Sequence, residues 1–380
     1  MLKKTTVLIA TGTMNAGGAE TLIMEILRRR SDRIQYIMLI HYSDKKEIGV
    51  YDNEIRSLGI PMVYIHSVGS VGERRYFREF KELIKRIGHI DILHSHLNAV
   101  GGIISKAAKK AGIKNRIVHC HADITFKGSK LNVLLSEMKL SYMKHFVNKY
   151  ATEFWACSNE AGKRLFNTGK KTVVIPNVIY VKDYLSNEQK RLMAKKKYNL
   201  NNSLVIGSVG RIAKIKNYEL VVRTVAELNK CGKYVDFICF GRVVDEKYFN
   251  EIKSLAKSLD VINQLHFVGN SKNIPFDISC IDIFFMPSYS EGFGMAALEA
   301  QAAGIYTLVS DKIPKIVDMK LGVLSFLSIE NEKEWIDAVF NFKPLCLDNE
   351  KILEKFNENG FNSETMVQKI EKLYDEMVNF

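Results

Sequence analysis

With 47% hydrophobic and 26% charged residues, a 380-residue chain has an ordinary globular composition and is too long for one core, which excludes disordered and fibrous classes. Only 6 prolines, no low-complexity tract, no solenoid period and no apolar run of about 18 residues exclude long linkers, repeat arrays and membrane spans. The net charge of +13 is one-sided: residues 1–180 carry 29 Lys and Arg against 15 Asp and Glu, and residues 181–380 carry 26 against 27, so the N-terminal half implies an anionic partner (nucleic acid, an anionic membrane or an acidic substrate).

The Met1-Leu-Lys-Lys start runs straight into a strand, Thr6–Ala10, and does not read as a secretory signal. Thr11-Gly-Thr-Met-Asn-Ala-Gly-Gly-Ala-Glu20 then opens a helix. Gly17 and Gly18 let backbone approach a ligand there, and a helix N-terminus favours an anion. The glycine spacing is not the dinucleotide fingerprint. Strands follow at Tyr36–Ile40, Met62–Ile65, Ile90–His94, Arg116–His119, Glu153–Cys157 and Thr172–Pro176. Between them, Arg74–Ile87 reads as a basic amphipathic helix with a stripe of Phe77, Phe80, Leu83, Ile84 and Ile87. Lys127–Tyr150 is a second, with Leu131, Leu134, Leu135, Met138, Tyr142 and Phe146 interleaved with lysines. Each suits a membrane surface or a core-facing helix with a solvated basic face.

Asp91-Ile-Leu-His-Ser-His96 and Arg116-Ile-Val-His-Cys-His121 both close strands. Residues i and i+2 share a face, so spacing does not choose between His119 and His121. The six cysteines have no metal-ligand spacing and read as reduced, mostly buried thiols of a cytoplasmic protein. A polar boundary is expected between Asn177 and Leu200, around Asn187–Arg191 and Lys195–Lys197.

A second series of strands follows: Val205–Val209, Val235–Phe240, Leu265–Val268, Ile281–Met286 and Tyr306–Ser310. Twelve strands alternating with helices predict two doubly wound α/β domains with ligands beyond the strands' carboxyl ends. After the first of the second series comes Gly210-Arg-Ile-Ala-Lys-Ile-Lys-Asn217. Arg211 and Lys216, five apart, can clamp a diphosphate and neutralise charge that grows on it. After Ile281–Met286 comes Glu291-Gly-Phe-Gly-Met-Ala-Ala-Leu-Glu299, in which Gly292 and Gly294 flank Phe293 and a helix starts at Met295. The turn suits phosphate, and its two carboxylates suit the hydroxyls of a nucleotide sugar.

That nonapeptide resembles the paired-glutamate motif of family 4 retaining glycosyltransferases, enzymes of the two-domain GT-B fold. Gly17-Gly18 with Glu20 is similar to the family's Gly-Gly-x-Glu loop, and Gly210, Arg211 and Lys216 to its Gly-Arg…Lys clamp. Trp155–Lys163 and Val174–Ile179 resemble stretches of exopolysaccharide and capsule transferases. Val178, Tyr180 and Tyr306 depart from the usual pattern.

The resemblance implies two Rossmann-like domains facing each other across a cleft. Residues 1–185 bind the acceptor, 186–365 bind the nucleotide sugar, and a helix at 366–380 returns towards the N-terminal domain. It implies retaining transfer from a UDP-linked sugar to a lipid-linked saccharide, in exopolysaccharide or capsule synthesis at the inner face of the cell membrane. The anionic membrane would be held through the basic half. The expected catalytic residues are His121, Arg211, Lys216 and Glu291. The donor is held by Gly17, Gly18, Gly210, Arg211, Lys216, Glu291, Gly292, Phe293, Gly294, Met295 and Glu299, with His94, His96 and His119 on the acceptor side. No Asp-x-Asp closes a strand, so no metal or cofactor is expected. Another GT-B enzyme, such as a nucleotide-sugar epimerase, is the alternative. A basic nucleic-acid-binding protein would leave both glutamates unexplained, and no nucleic-acid module is present.

Overall fold

The computed structural model describes residues 4–15, 17–121, 129–200 and 203–379. Lys127, singled out above, lies outside them. The chain divides into two compact units. The N-terminal unit comprises residues up to Val178 together with Ser363 onwards, and the C-terminal unit is Ile179–Asn362.

In the N-terminal unit, β1 (Thr5–Thr11), β2 (Ile34–Tyr42), β3 (Met62–His66), β4 (Ile92–Ser95), β5 (Asn115–Cys120), β6 (Glu153–Ala156) and β7 (Thr172–Val174) form one parallel sheet in the order β3-β2-β1-β4-β5-β6-β7. The strand centres are continuous apolar runs: Val7, Leu8, Ile9 and Ala10 are all buried, as strands covered on both faces require. The Gly101–Lys110 helix packs on the Lys130–Tyr150 helix so closely that a Cβ on Gly102 would lie 2.3 Å from the Val147 amide nitrogen. Glycine at that position permits the approach.

The C-terminal helix, Ser363–Val378, belongs to the N-terminal unit. Met366, Val367, Ile370 and Tyr374 enter the same core as Ile9, Met38 and Trp155. Glu371 accepts from the Ser31 amide at 2.8 Å, and Asp375 pairs with Arg33 at 2.8 Å.

In the C-terminal unit, β8 (Leu204–Val209), β9 (Val235–Phe240), β10 (Leu265–Gly269), β11 (Ile283–Met286), β12 (Tyr306–Ser310) and β13 (Leu324–Leu327) form a second parallel sheet, ordered β10-β9-β8-β11-β12-β13. In both sheets the order reverses beside the first strand, so each has a topological switch point at its carboxyl edge. β13 has no counterpart among the twelve expected strands. It is a short edge strand whose four residues are all half-buried, so its sequence lacks the apolar run that marks the others.

The division between the units also differs from the expected 185/186 and 365/366, falling at Val178/Ile179 and Asn362/Ser363. The polar stretch taken as a boundary is the helix Glu188–Lys197 of the C-terminal unit, capped by Asn187. Lys195 Nζ, buried, lies 2.7 Å from Asp282, and Arg191 pairs with the same carboxylate. Asp282 also accepts from the Val205 amide at 2.8 Å, so a charge inside an apolar run is fully partnered. None of the six cysteines is in a disulfide; Cys120, Cys239 and Cys280 are buried, but Cys231 and Cys346 are exposed.

The two basic helices take opposite environments. Along Val68–Ile87, Phe80 and Leu83 are buried and Phe77, Ile84 and Ile87 pack against the same core, which leaves Arg74, Arg75, Arg78, Lys81, Lys85 and Arg86 as an exposed face. Along Lys130–Tyr150, Phe146 is buried, but Leu131, Leu134, Leu135, Met138 and Tyr142 are each more than half exposed.

Candidate functional site

In the C-terminal unit, β8 ends at Val209 and the chain turns through Gly210, whose φ of 152° is a glycine conformation. A Cβ there would stand 3.1 Å from Lys216 Nζ, so the bare backbone lets the lysine fold back over the strand end. Asn217, buried and left-handed at φ 54°, starts the helix Tyr218–Lys230. Lys216 Nζ meets Glu291 Oε1 at 2.5 Å, both side chains being 16% exposed, and the Ser288 hydroxyl donates to the same oxygen at 2.7 Å. Arg211 is exposed and makes no ion pair among the described residues.

The Glu291 loop leads through exposed Gly292 and half-buried Phe293, whose ring lies 5.4 Å from that of Phe361. Gly294, left-handed at φ 96°, begins the helix Met295–Ala302 with no side-chain cap. Its first amides therefore remain open to an anion. Glu299 sits a turn further on. Part of its surface reaches solvent, yet its carboxyl is enclosed by protein. Burial pushes it up to about 7, against the opposing effect of the Tyr184 hydroxyl, which donates to Oε1 at 3.0 Å.

The two glutamates thus have different partners. Glu291 is tied to a cation and Glu299 to a phenol. The motif spacing suggested neither Tyr184, 115 positions before Glu299, nor Ser288. Ser288 had a signal in the Pro287-Ser turn; Tyr184 had none.

In the N-terminal unit, Gly17 precedes the helix Gly18–Arg28. Glu20 folds back over this turn: a Cβ on Gly17 would lie 2.4 Å from its Oε2. The position suited to a phosphate is therefore covered by the protein's own carboxylate. A Cβ on Gly18 would stand 3.1 Å from Asn177 Nδ2, which brings the Ile175-Pro-Asn177 turn against this loop.

β4 and β5 pair in parallel, with His94 opposite Ile117. The alternating side chains put His94, His96, His119 and His121 on one face as a ladder of rings with centroids 4.1–5.3 Å apart. His94 Nε2 lies 3.2 Å from His119 Nδ1, and His96 Nδ1 lies 2.8 Å from His121 Nε2. The Tyr374 hydroxyl is 2.6 Å from His94 Nδ1, and Trp155 closes the inner side. Burial lowers all four below the ordinary imidazole range, His121 to about 4.

This arrangement corrects the reading of His94 and His119 as acceptor contacts. Both have 0% exposure and present no surface to a substrate, and His96 is also buried. His121, half-buried at the rim, is the member able to meet a ligand. Its amide is fixed by a hydrogen bond to Asn98 Oδ1 at 2.8 Å.

Two family models match the chain: "Glycosyltransferase Family 4" over residues 16–182 and "Glycosyl transferases group 1" over 190–323. EpsF of Bacillus subtilis, named as a glycosyltransferase, is 28% identical over 333 residues, covering 86% of this chain and 84% of that protein. The Escherichia coli UDP-Gal:alpha-D-GlcNAc-diphosphoundecaprenol alpha-1,3-galactosyltransferase is 26% identical over 343 residues, covering 86% and 85%. Among solved structures, Anabaena HepE in complex with UDP is similar with a TM-score of 0.75 at 17% identity, covering 98% of this chain and all of that one. The two doubly wound sheets, the motifs at their carboxyl edges and the two family models agree, and the chain belongs to the family 4 glycosyltransferases, built on the GT-B fold.

Proposed function

We propose that this glycosyltransferase moves a sugar, with retention, from a UDP-linked donor to a hydroxyl of a lipid-linked saccharide in exopolysaccharide or capsule synthesis. The observation that carries the reading is the Lys216–Glu291 pair folded over Gly210, with exposed Arg211 beside it in sequence. At rest, Glu291 holds and neutralises Lys216. A diphosphate draws Lys216 and Arg211 to itself, which frees Glu291 to accept from sugar hydroxyls. The open amides after Gly294 add a positive end to the same loop. Glu299, close to half-protonated near neutral pH, both accepts from and donates to a ribose or sugar hydroxyl.

The bond from the anomeric carbon to the diphosphate oxygen breaks as the bond to the acceptor oxygen forms on the same face. The acceptor's proton passes to the departing phosphate oxygen. Lys216 and Arg211 stabilise the charge on that leaving group, a role in which cationic side chains stand for a metal. The nucleotide and acceptor class are supported by the Escherichia coli relative, whose name carries UDP-Gal and a diphosphoundecaprenol, and by HepE, which holds UDP.

The N-terminal unit offers the membrane a fitting surface. Leu131, Leu134, Leu135, Met138 and Tyr142 form one exposed helical stripe, with Lys130, Lys139 and Lys149 exposed on the same helix. No helix among the described residues is long and apolar enough to cross a membrane. The stripe lies in the interface, and the basic residues hold anionic headgroups. A panel of nucleotide sugars, scored by thermal shift and slow donor hydrolysis, tests the reading. A UDP-sugar is expected to stabilise the protein and to be hydrolysed slowly, with transfer on addition of a polyprenyl-diphosphate saccharide. A panel in which no nucleotide sugar binds overturns it.

A further inference from the structure

We propose that His94, His96 and His119 form a binding site for a divalent transition-metal ion, at the ends of β4 and β5. One ring nitrogen from each lies within 4.8 Å of those from the other two. Ligand nitrogens about 2.0–2.1 Å from a zinc ion stand about 3.3 Å apart in a tetrahedral set, and the His94 Nε2 to His119 Nδ1 separation is 3.2 Å. Closing the third nitrogen onto the ion takes ring rotations rather than a change of strand register.

A second observation points the same way. His96 Nε2 is buried without a hydrogen-bond partner, in a ring with 4% exposure. Buried imidazole nitrogens ordinarily find a partner.

The surroundings supply what ligating histidines usually have outside them. His94 is oriented through its other nitrogen by the Tyr374 hydroxyl, and His96 Nδ1 is bonded to His121 Nε2. His121 stays outside the ligand set and free to meet a ligand. Three imidazoles with no carboxylate among them select zinc, cobalt, nickel or copper over magnesium or calcium. Such an ion ties β4 to β5 and, through His94, to the C-terminal helix. It belongs to the N-terminal unit, whereas the cations assigned to the diphosphate belong to the C-terminal unit.

The test uses the full chain, free of any affinity tag, stripped of metal and dialysed against micromolar cobalt or zinc without donor or acceptor. One ion per chain is expected by elemental analysis. Cobalt should give visible absorption bands of a nitrogen-ligated site, zinc should raise Tm by a few degrees, and magnesium should do neither. His96→Gln and His119→Gln should each abolish uptake, while His145→Gln, at an exposed position on the Lys130–Tyr150 helix, should keep it. Should a variant fail to fold, the cobalt titration of the native chain decides. Absence of uptake by the native chain, or full uptake by both variants, overturns the proposal. Neither result depends on whether sugar transfer is observed.

Discussion

Glu299 and Lys216 carry the predictions that belong to single residues. The Glu299 carboxyl titrates near 7 in the folded chain and near its ordinary 4.5 when unfolded. Between those values the folded state binds more protons, so its stability falls as pH rises through this window and the cost then levels off. The shift corresponds to about 3 kcal/mol at about 1.36 kcal/mol per unit; partial solvent access reduces this to about 1–2 kcal/mol. Glu299→Gln, which keeps the Tyr184 hydrogen bond, should therefore be more stable than the native chain at pH 8 and equal to it near pH 4.5. Urea melts at the two pH values check this, and equal stability at pH 8 refutes it. Lys216→Ala should lower turnover at saturating donor at least tenfold while the far-UV spectrum stays native. Loss of one preorganised donor to developing charge costs about 2–4 kcal/mol, and a partly exposed loop side chain is not needed for the core. Near-native turnover would sink the clamp. The residue types at both positions were legible in the motifs. Their partners were not, because Tyr184 reaches Glu299 and Glu291 reaches Lys216 through folding rather than through any spacing in the chain.

The two basic helices show what an element's sequence says and what it leaves open. An amphipathic pattern establishes that a helix has an apolar face but not what covers it. The Val68–Ile87 stripe is covered by the core that contains Ile65, Leu93 and Ala107, whereas the first half of Lys130–Tyr150 is left uncovered. Exchanging Leu134, Leu135 and Met138 together for serine should weaken binding to anionic vesicles at least tenfold and leave slow donor hydrolysis unchanged. Each large apolar side chain withdrawn from water contributes about 1.5–3 kcal/mol. Raised salt should release the native chain further, because its basic residues act through a screened field. Vesicle sedimentation of both proteins measures this. Undiminished binding by the triple variant assigns the interaction to charge alone and removes the stripe from it.

Across the whole molecule, the division of charge and of chemistry follows the two units. If Lys216 and Arg211 replace a metal at the diphosphate, transfer should run at the same rate with magnesium or manganese added or omitted. A dependence on either ion would mean that the diphosphate site has been misassigned. The sequence alone determined two doubly wound units, since buried parallel strands must be continuous apolar runs and twelve of them stand out between helices. It also determined the family, because the order of Gly17-Gly18, Gly210-Arg211, Lys216 and Glu291…Glu299 is a local property of strand-end loops. The edge strand β13 escaped notice because half-buried residues carry no strong pattern. The stretch 187–197 reads as a domain boundary because its burial depends on Asp282, a partner some ninety positions away. Only the tertiary structure decided that Lys216 is held by Glu291, that His94 and His119 are sealed behind His121, and which basic helix leaves its apolar face open. Each of these depends on side chains distant in sequence meeting at one place, and periodicity and spacing describe only neighbours along the chain.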